Sequence, residues 1–117
     1  MPFSLRLLLL ITPLVVSACA ASEVGPFGRR VGGPCRDLFD CGAGSFCATG
    51  DPGGQCVIRC RSLGACPGAS ACIGEFAGLC QLRCDADLDC RDGYDCQARA
   101  DLSGEQVPVC TAADVEP

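Results

Sequence analysis

One sustained apolar run occurs in the chain, and it lies at the start. Residues 7–16 are apolar except for Thr12 and Pro13. Ten residues suit the apolar region of an export signal and fall far short of the roughly 20 needed to cross a bilayer as a helix. Beyond it, apolar residues come in ones and twos between Gly, Pro, Asp and Cys. Asp51-Pro52-Gly53-Gly54 reads as a turn, residues 74–78 as a second, and Leu102-Ser103-Gly104-Glu105 as the tip of a longer loop. Val107, Val109 and Cys110 then return as a strand. The pattern predicts small two-stranded hairpins, single helical turns and much irregular chain.

The apolar run is preceded by a short segment carrying Arg6 and ends at Val16-Ser17-Ala18-Cys19. An aliphatic residue, two small residues and a cysteine at this place resemble the lipobox of bacterial lipoproteins. That resemblance implies removal of residues 1–18 and attachment of diacylglycerol to the Cys19 thiol. Each buried CH₂ contributes about 0.8 kcal/mol, so two or three acyl chains anchor stably where one does not. A second route also fits, because Ala18-Cys19-Ala20 satisfies the small-x-small rule of ordinary secretory cleavage. Lipidation is the expectation, with secretion as its alternative. Ala20 after the cysteine, rather than Asp, favours the outer membrane by analogy with enteric sorting. Residues 19–34 are rich in Gly and Pro, and predict a flexible tether that reaches about 50 Å when extended.

The cysteines give the organisation. There are 13 in 117 residues, above the roughly 8–10% that marks a disulfide scaffold. Cys35, Cys41, Cys47 and Cys56 form C-x5-C-x5-C-x8-C; Cys60, Cys66, Cys72 and Cys80 form C-x5-C-x5-C-x7-C; Cys84, Cys90, Cys96 and Cys110 form C-x5-C-x5-C-x13-C. One four-cysteine unit therefore occurs three times, over residues 35–59, 60–83 and 84–110, followed by an acidic tail at 111–117. Gly44, Ala69 and Gly93 each stand three residues after a second cysteine. Either processing route removes Cys19 from the count and leaves twelve cysteines.

A unit of this size cannot bury enough apolar surface to fold alone, so cross-links must hold it. Four cysteines allow three pairings. The favoured one joins first to third and second to fourth, because adjacent pairing closes two independent small loops and leaves the unit open. Spacing alone leaves the connectivity undetermined. The fold class expected is a small disulfide-rich array of three tandem repeats, with short β-hairpins, irregular loops and little regular secondary structure. Phe39, Phe46, Phe76 and Tyr94 are expected to supply its small core, as is Phe27 unless it contacts a partner.

The acidic stretch Cys84-Asp85-Ala86-Asp87-Leu88-Asp89-Cys90 and its counterpart Cys35-Arg36-Asp37-Leu38-Phe39-Asp40-Cys41 carry a further likeness. With the lipobox and tether, they resemble cysteine-rich repeat lipoproteins of myxobacteria and related GC-rich bacteria. The spacing is also similar to the N-terminal cysteine-rich domain of animal Dickkopf proteins. These resemblances imply a disulfide-knotted extracytoplasmic interaction module. Unit two departs from the pattern, with Gly64-Ala65 in place of acidic residues.

Composition removes several alternatives. The chain has no histidine, which excludes the common catalytic triads. It contains no C-x-C or C-x-x-C, so zinc and thioredoxin-type patterns are missing. Nine basic against 14 acidic residues argue against a nucleic-acid partner. No cofactor is implied. Asp85, Asp87 and Asp89 alternate as calcium ligands do, but Cys90 stands where such a loop needs Gly, and no Glu closes it. A solvated loop whose aspartates cap backbone N–H groups is the simpler reading. The expected protein is a non-enzymatic binding or structural module of the envelope. Its partners are a membrane, through the lipid, and an unidentified protein or envelope component. A secreted protease inhibitor using Arg59, Arg61 or Arg99 as bait is the alternative, and a calcium-dependent adhesion module the third.

Overall fold

The third and fourth cysteines of each unit sit directly opposite one another on a two-stranded antiparallel hairpin. The computed structural model describes residues 23–113; the export segment, Cys19 and residues 114–117 lie outside the described residues. Strand β1 (Phe46–Ala48) pairs with β2 (Gln55–Val57), β3 (Ser70–Ile73) with β4 (Leu79–Leu82), and β5 (Tyr94–Ala100) with β6 (Gln106–Ala112). The registers place Cys47 across from Cys56, Cys72 from Cys80, and Cys96 from Cys110. Opposed residues project from the same face of a hairpin. Each pair therefore offers two sulfurs side by side to the arm that precedes the hairpin.

That arm carries the first and second cysteines. The bridges are Cys35–Cys47, Cys41–Cys56, Cys60–Cys72, Cys66–Cys80, Cys84–Cys96 and Cys90–Cys110. Pairing is first to third and second to fourth in every unit, so the arm is clamped across both strands. A single turn of 3₁₀ helix shortens each arm, at Leu38–Asp40, Leu63–Ala65 and Asp87–Asp89. In units one and three the residue before the second cysteine caps this turn. Asp40 Oδ2 accepts from the backbone N–H of Arg36 (2.7 Å) and Asp37 (3.2 Å). Asp89 Oδ2 does the same for Asp85 (2.8 Å) and Ala86 (3.1 Å).

Unit two lacks both devices. Ala65 occupies the capping position, and Ala69 adopts φ 67°, where its counterparts are Gly44 at φ 80° and Gly93 at φ 87°. An L-residue in this left-handed region costs roughly 1–2 kcal/mol. Ala69→Gly is therefore expected to stabilise the protein by about 0.5–1 kcal/mol, after allowing for the greater freedom of Gly in the unfolded chain. Ala65→Asp is expected to add a similar amount through the cap. Thermal melting of the single and double variants checks both.

The three hairpins pack against one another. Units one and two are joined by the backbone bond from Cys80 N–H to Ile58 O (2.8 Å) and by an isolated antiparallel bridge between Arg59 and Leu79. Units two and three meet through isolated bridges between Ile73 and Asp101 and between Arg83 and Val109. Unit three returns to unit one, where Tyr94 Oη donates to Pro52 O at 2.8 Å. Ala71, Ile73, Val107 and Val109 form one apolar cluster, while Leu82, Cys84, Tyr94 and Cys110 form another.

Three expectations from the sequence are corrected here. From residue 23 onward, the segment read as a flexible tether is part of the folded body. Val31 is completely buried against Cys60, Cys72 and Cys80, with Val24 packed beside it. Gly32 N–H donates to Cys56 O and Cys56 N–H to Gly33 O, both at 2.9 Å, so the segment runs as an extra edge along β2. Glycine is required there by close approach, since a Cβ on Gly33 would stand 2.3 Å from Gly28 O. Second, strand β6 continues past Cys110, and Thr111 and Ala112 of the expected tail pair with Asp95 and Tyr94. Third, the aromatic core is reduced to Tyr94, with Phe76 at the edge of a cluster, whereas Phe27 and Phe39 are 78% and 86% exposed. Aliphatic residues and the bridges fill the interior instead.

Candidate functional site

Nine of the twelve bridged cysteines gather into three compact sulfur groups. The Sγ atoms of Cys35, Cys41 and Cys56 lie within 4.8 Å of one another, as do those of Cys60, Cys66 and Cys80, and of Cys84, Cys90 and Cys110. The spacing would suit a metal, but a thiolate is the ligand, and each of these sulfurs is committed to a disulfide. The groups are the consequence of two bridges leaving one face of a hairpin.

The acidic loop of unit three is organised by its own backbone. Asp89 caps the turn as described, and Asp87 Oδ1 accepts from Cys96 N–H at 2.9 Å. Asp85 is exposed. Two of the three alternating carboxylates are thus turned inward onto N–H groups. Of the arginines weighed as bait, Arg59 lies over the Phe46 ring at 5.0 Å and Arg99 pairs with Glu75 at 3.7 Å from within β5. Neither stands at a loop tip; Arg61 is exposed in the arm of unit two.

Two of the concave features among the described residues bring unit three together with other parts of the chain. The first is a cleft of about 320 Å³ where the three hairpins converge, lined in part by Asp51, Gln55, Phe76, Gln81, Arg99 and Thr111. Gln55 Nε2 donates to Gln81 Oε1 at 3.0 Å, a buried bond between units one and two. The Thr111 hydroxyl is buried without a partner. Burial raises the Asp51 carboxyl above its ordinary range, with the Arg91 guanidinium pulling the other way.

A carboxyl that holds its proton more tightly when folded loses stability as pH rises. For Asp51 the loss begins near the unfolded pKa, about pH 4, and is complete above the folded one. Asp51→Asn is therefore expected to raise the melting temperature at neutral pH and to leave it unchanged well below pH 4, as melting curves across that range would show. Asp40 and Asp101 act oppositely. Asp40 is held low chiefly by the Arg36 N–H, and Asp101 by the Ser103 hydroxyl. Their contribution is present above the ordinary carboxylate range and is lost as pH falls through their folded values.

The second feature is a groove of about 400 Å³ between the N-terminal segment and the arm of unit three. Pro26, Phe27, Pro34 and Leu88 line it with Cys90, Arg91 and Asp92. Leu88 is 96% exposed. Leu38, Phe39 and Leu63 are exposed on the equivalent turns of units one and two. The sequence reading passed over these leucines, although each lies between a first and a second cysteine, where a bridged arm leaves no interior to fill. Arg91 was missed as well. It reaches Gly32 O at 3.0 Å, Gly54 O at 2.5 Å and Tyr94 Oη at 3.3 Å, and lies 4.7 Å over the Tyr94 ring. Its partners are mainly backbone carbonyls, which leave no trace in a sequence.

Fold and site define a small, disulfide-stapled protein of an oxidising, extracytoplasmic environment. No family model, curated protein or solved structure matches this chain.

Proposed function

We propose that this is a lipid-anchored, non-enzymatic protein of the bacterial cell envelope, with the outer membrane as its favoured location. Its three stapled units serve as a rigid binding or structural module for a protein or envelope partner. The cysteine pairing carries the stapled, exported module, and the place of Cys19 after Val16-Ser17-Ala18 carries the anchor. All twelve cysteines from 35 to 110 are bridged within the fold, which leaves Cys19 as the odd one. That cysteine directly follows the apolar export run, in the place where the lipobox resemblance puts the modified residue. The lack of histidine and the commitment of every folded cysteine to a bridge support a role other than catalysis.

Intact mass of the protein extracted from its native envelope tests the anchor. The expected result is a chain beginning at Cys19 with added acyl mass and six bridges. Cys19→Ala is expected to abolish the acyl mass and processing before residue 19. A wild-type chain beginning at Ala21 without lipid would replace the anchor with simple secretion.

A further inference from the structure

We infer that the folded body rests directly on the lipid surface, with Phe27 and Leu88 inserted into the bilayer interface. The inference rests on the anchored reading and extends it. If Cys19 carries the lipid, only four residue steps separate it from Glu23, where the described fold begins. Four extended residues span at most about 14 Å. The glycine-rich segment that would otherwise hold the body away is itself built into the body. Units one to three are therefore confined close to the headgroups, and the face nearest residue 23 must meet them.

Phe27 stands four residues after Glu23, and with Pro26, Pro34 and Leu88 it lines the groove described above. Phe27 is presented rigidly. It sits in a turn closed by Gly28 N–H on Gly25 O at 2.9 Å, and the turn's base is held by Gly25 N–H on Val31 O at 3.0 Å. An exposed aromatic on a fixed turn gains by burial without losing backbone freedom. Leu88 projects from a turn whose flanking carboxylates, Asp87 and Asp89, are bonded to backbone N–H groups. The apolar side chain is left as the outermost point of that turn. Exposed apolar side chains held beside an acyl anchor add to surface binding in proportion to the apolar area they bury.

The chain has no tryptophan, so Phe27→Trp introduces a single indole reporter. The full-length variant is expressed in the native host, its acyl mass is checked, and it is reconstituted in phosphatidylcholine vesicles. With acyl mass present, the indole emission is expected to shift to the blue, to be quenched by brominated acyl chains, and to escape aqueous iodide. Adding Leu88→Asp, at a fully solvated position that the fold does not need, is expected to reduce the bromolipid quenching.

Acyl mass with free iodide quenching and no bromolipid quenching would overturn the inference and leave the anchor standing. Shielding from iodide without bromolipid quenching, together with a cross-linked dimer, would assign the groove to a second copy and also overturn it. Absence of acyl mass would remove the anchor and the inference together.

Discussion

Replacing Cys60 and Cys72 by alanine is expected to destabilise the protein more than removing the equivalent bridge of either other unit. The comparison is controlled by the repeat. Cys35–Cys47, Cys60–Cys72 and Cys84–Cys96 all span 12 residues. Chain entropy therefore assigns them the same contribution, about 3 kcal/mol. They differ in surroundings. Cys47 and Cys96 are only partly buried, whereas Cys60 and Cys72 are 6% and 1% exposed and enclose Val31. Losing two buried sulfurs adds a transfer and void penalty on the order of 1 kcal/mol. It also loosens the site where the N-terminal segment docks. The expected ranking, read from denaturant midpoints, is unit two above units one and three. Equal losses would mean that loop closure alone governs and that the Val31 contact contributes nothing. Reducing all six bridges removes roughly 2–4 kcal/mol for each. The sum, about 12–24 kcal/mol, matches or exceeds the roughly 5–15 kcal/mol by which domains are ordinarily stable, so a reductant is expected to unfold the chain entirely.

The sequence made the units legible because cysteine spacing reports covalent geometry. The three repeated units follow from it, while the turn at residues 51–54 follows from Asp51-Pro52-Gly53-Gly54. The recurrence of Gly44, Ala69 and Gly93 was also visible, but its reason, a left-handed backbone at all three, came only with the structure. The relation between units was not visible. Their contacts run through main-chain groups, such as Cys80 N–H to Ile58 O at 2.8 Å and the bridge between Arg83 and Val109, which any residue type can supply. The N-terminal segment was misread for a related reason. Its glycines suggested freedom, but they permit backbone to lie against backbone, and the decisive residues were the apolar Val24 and Val31 among them. The groove likewise joins Phe27 to Leu88 across 61 positions of sequence, a meeting that only the packing of unit three could create.

Arg91 carries that packing, and Arg91→Ala is expected to cost about 3 kcal/mol. One guanidinium holds three parts of the chain: Gly32 in the N-terminal segment, Gly54 in the turn of the first hairpin, and Tyr94 in its own unit. Hydrogen bonds from a charged donor contribute about 1.5–3 kcal/mol each, and a carbonyl left buried without a donor adds a penalty. The cation also covers the Tyr94 ring, whose hydroxyl continues the link to Pro52. Burial raises the Tyr94 phenol above its ordinary value, so it remains a donor to that carbonyl at neutral pH. The bridges within each unit do not depend on Arg91. Its loss should therefore separate units one and three while each stays knotted. Hydrogen exchange is expected to accelerate at Tyr94, Cys35 and Gly54 but to remain slow at Cys72 and Cys80. Arg91→Lys keeps the charge but cannot reach both carbonyls with a planar fork, and it is expected to recover less than half of the lost stability. Full recovery by lysine would show that charge alone, rather than the paired carbonyl contacts, holds the array closed.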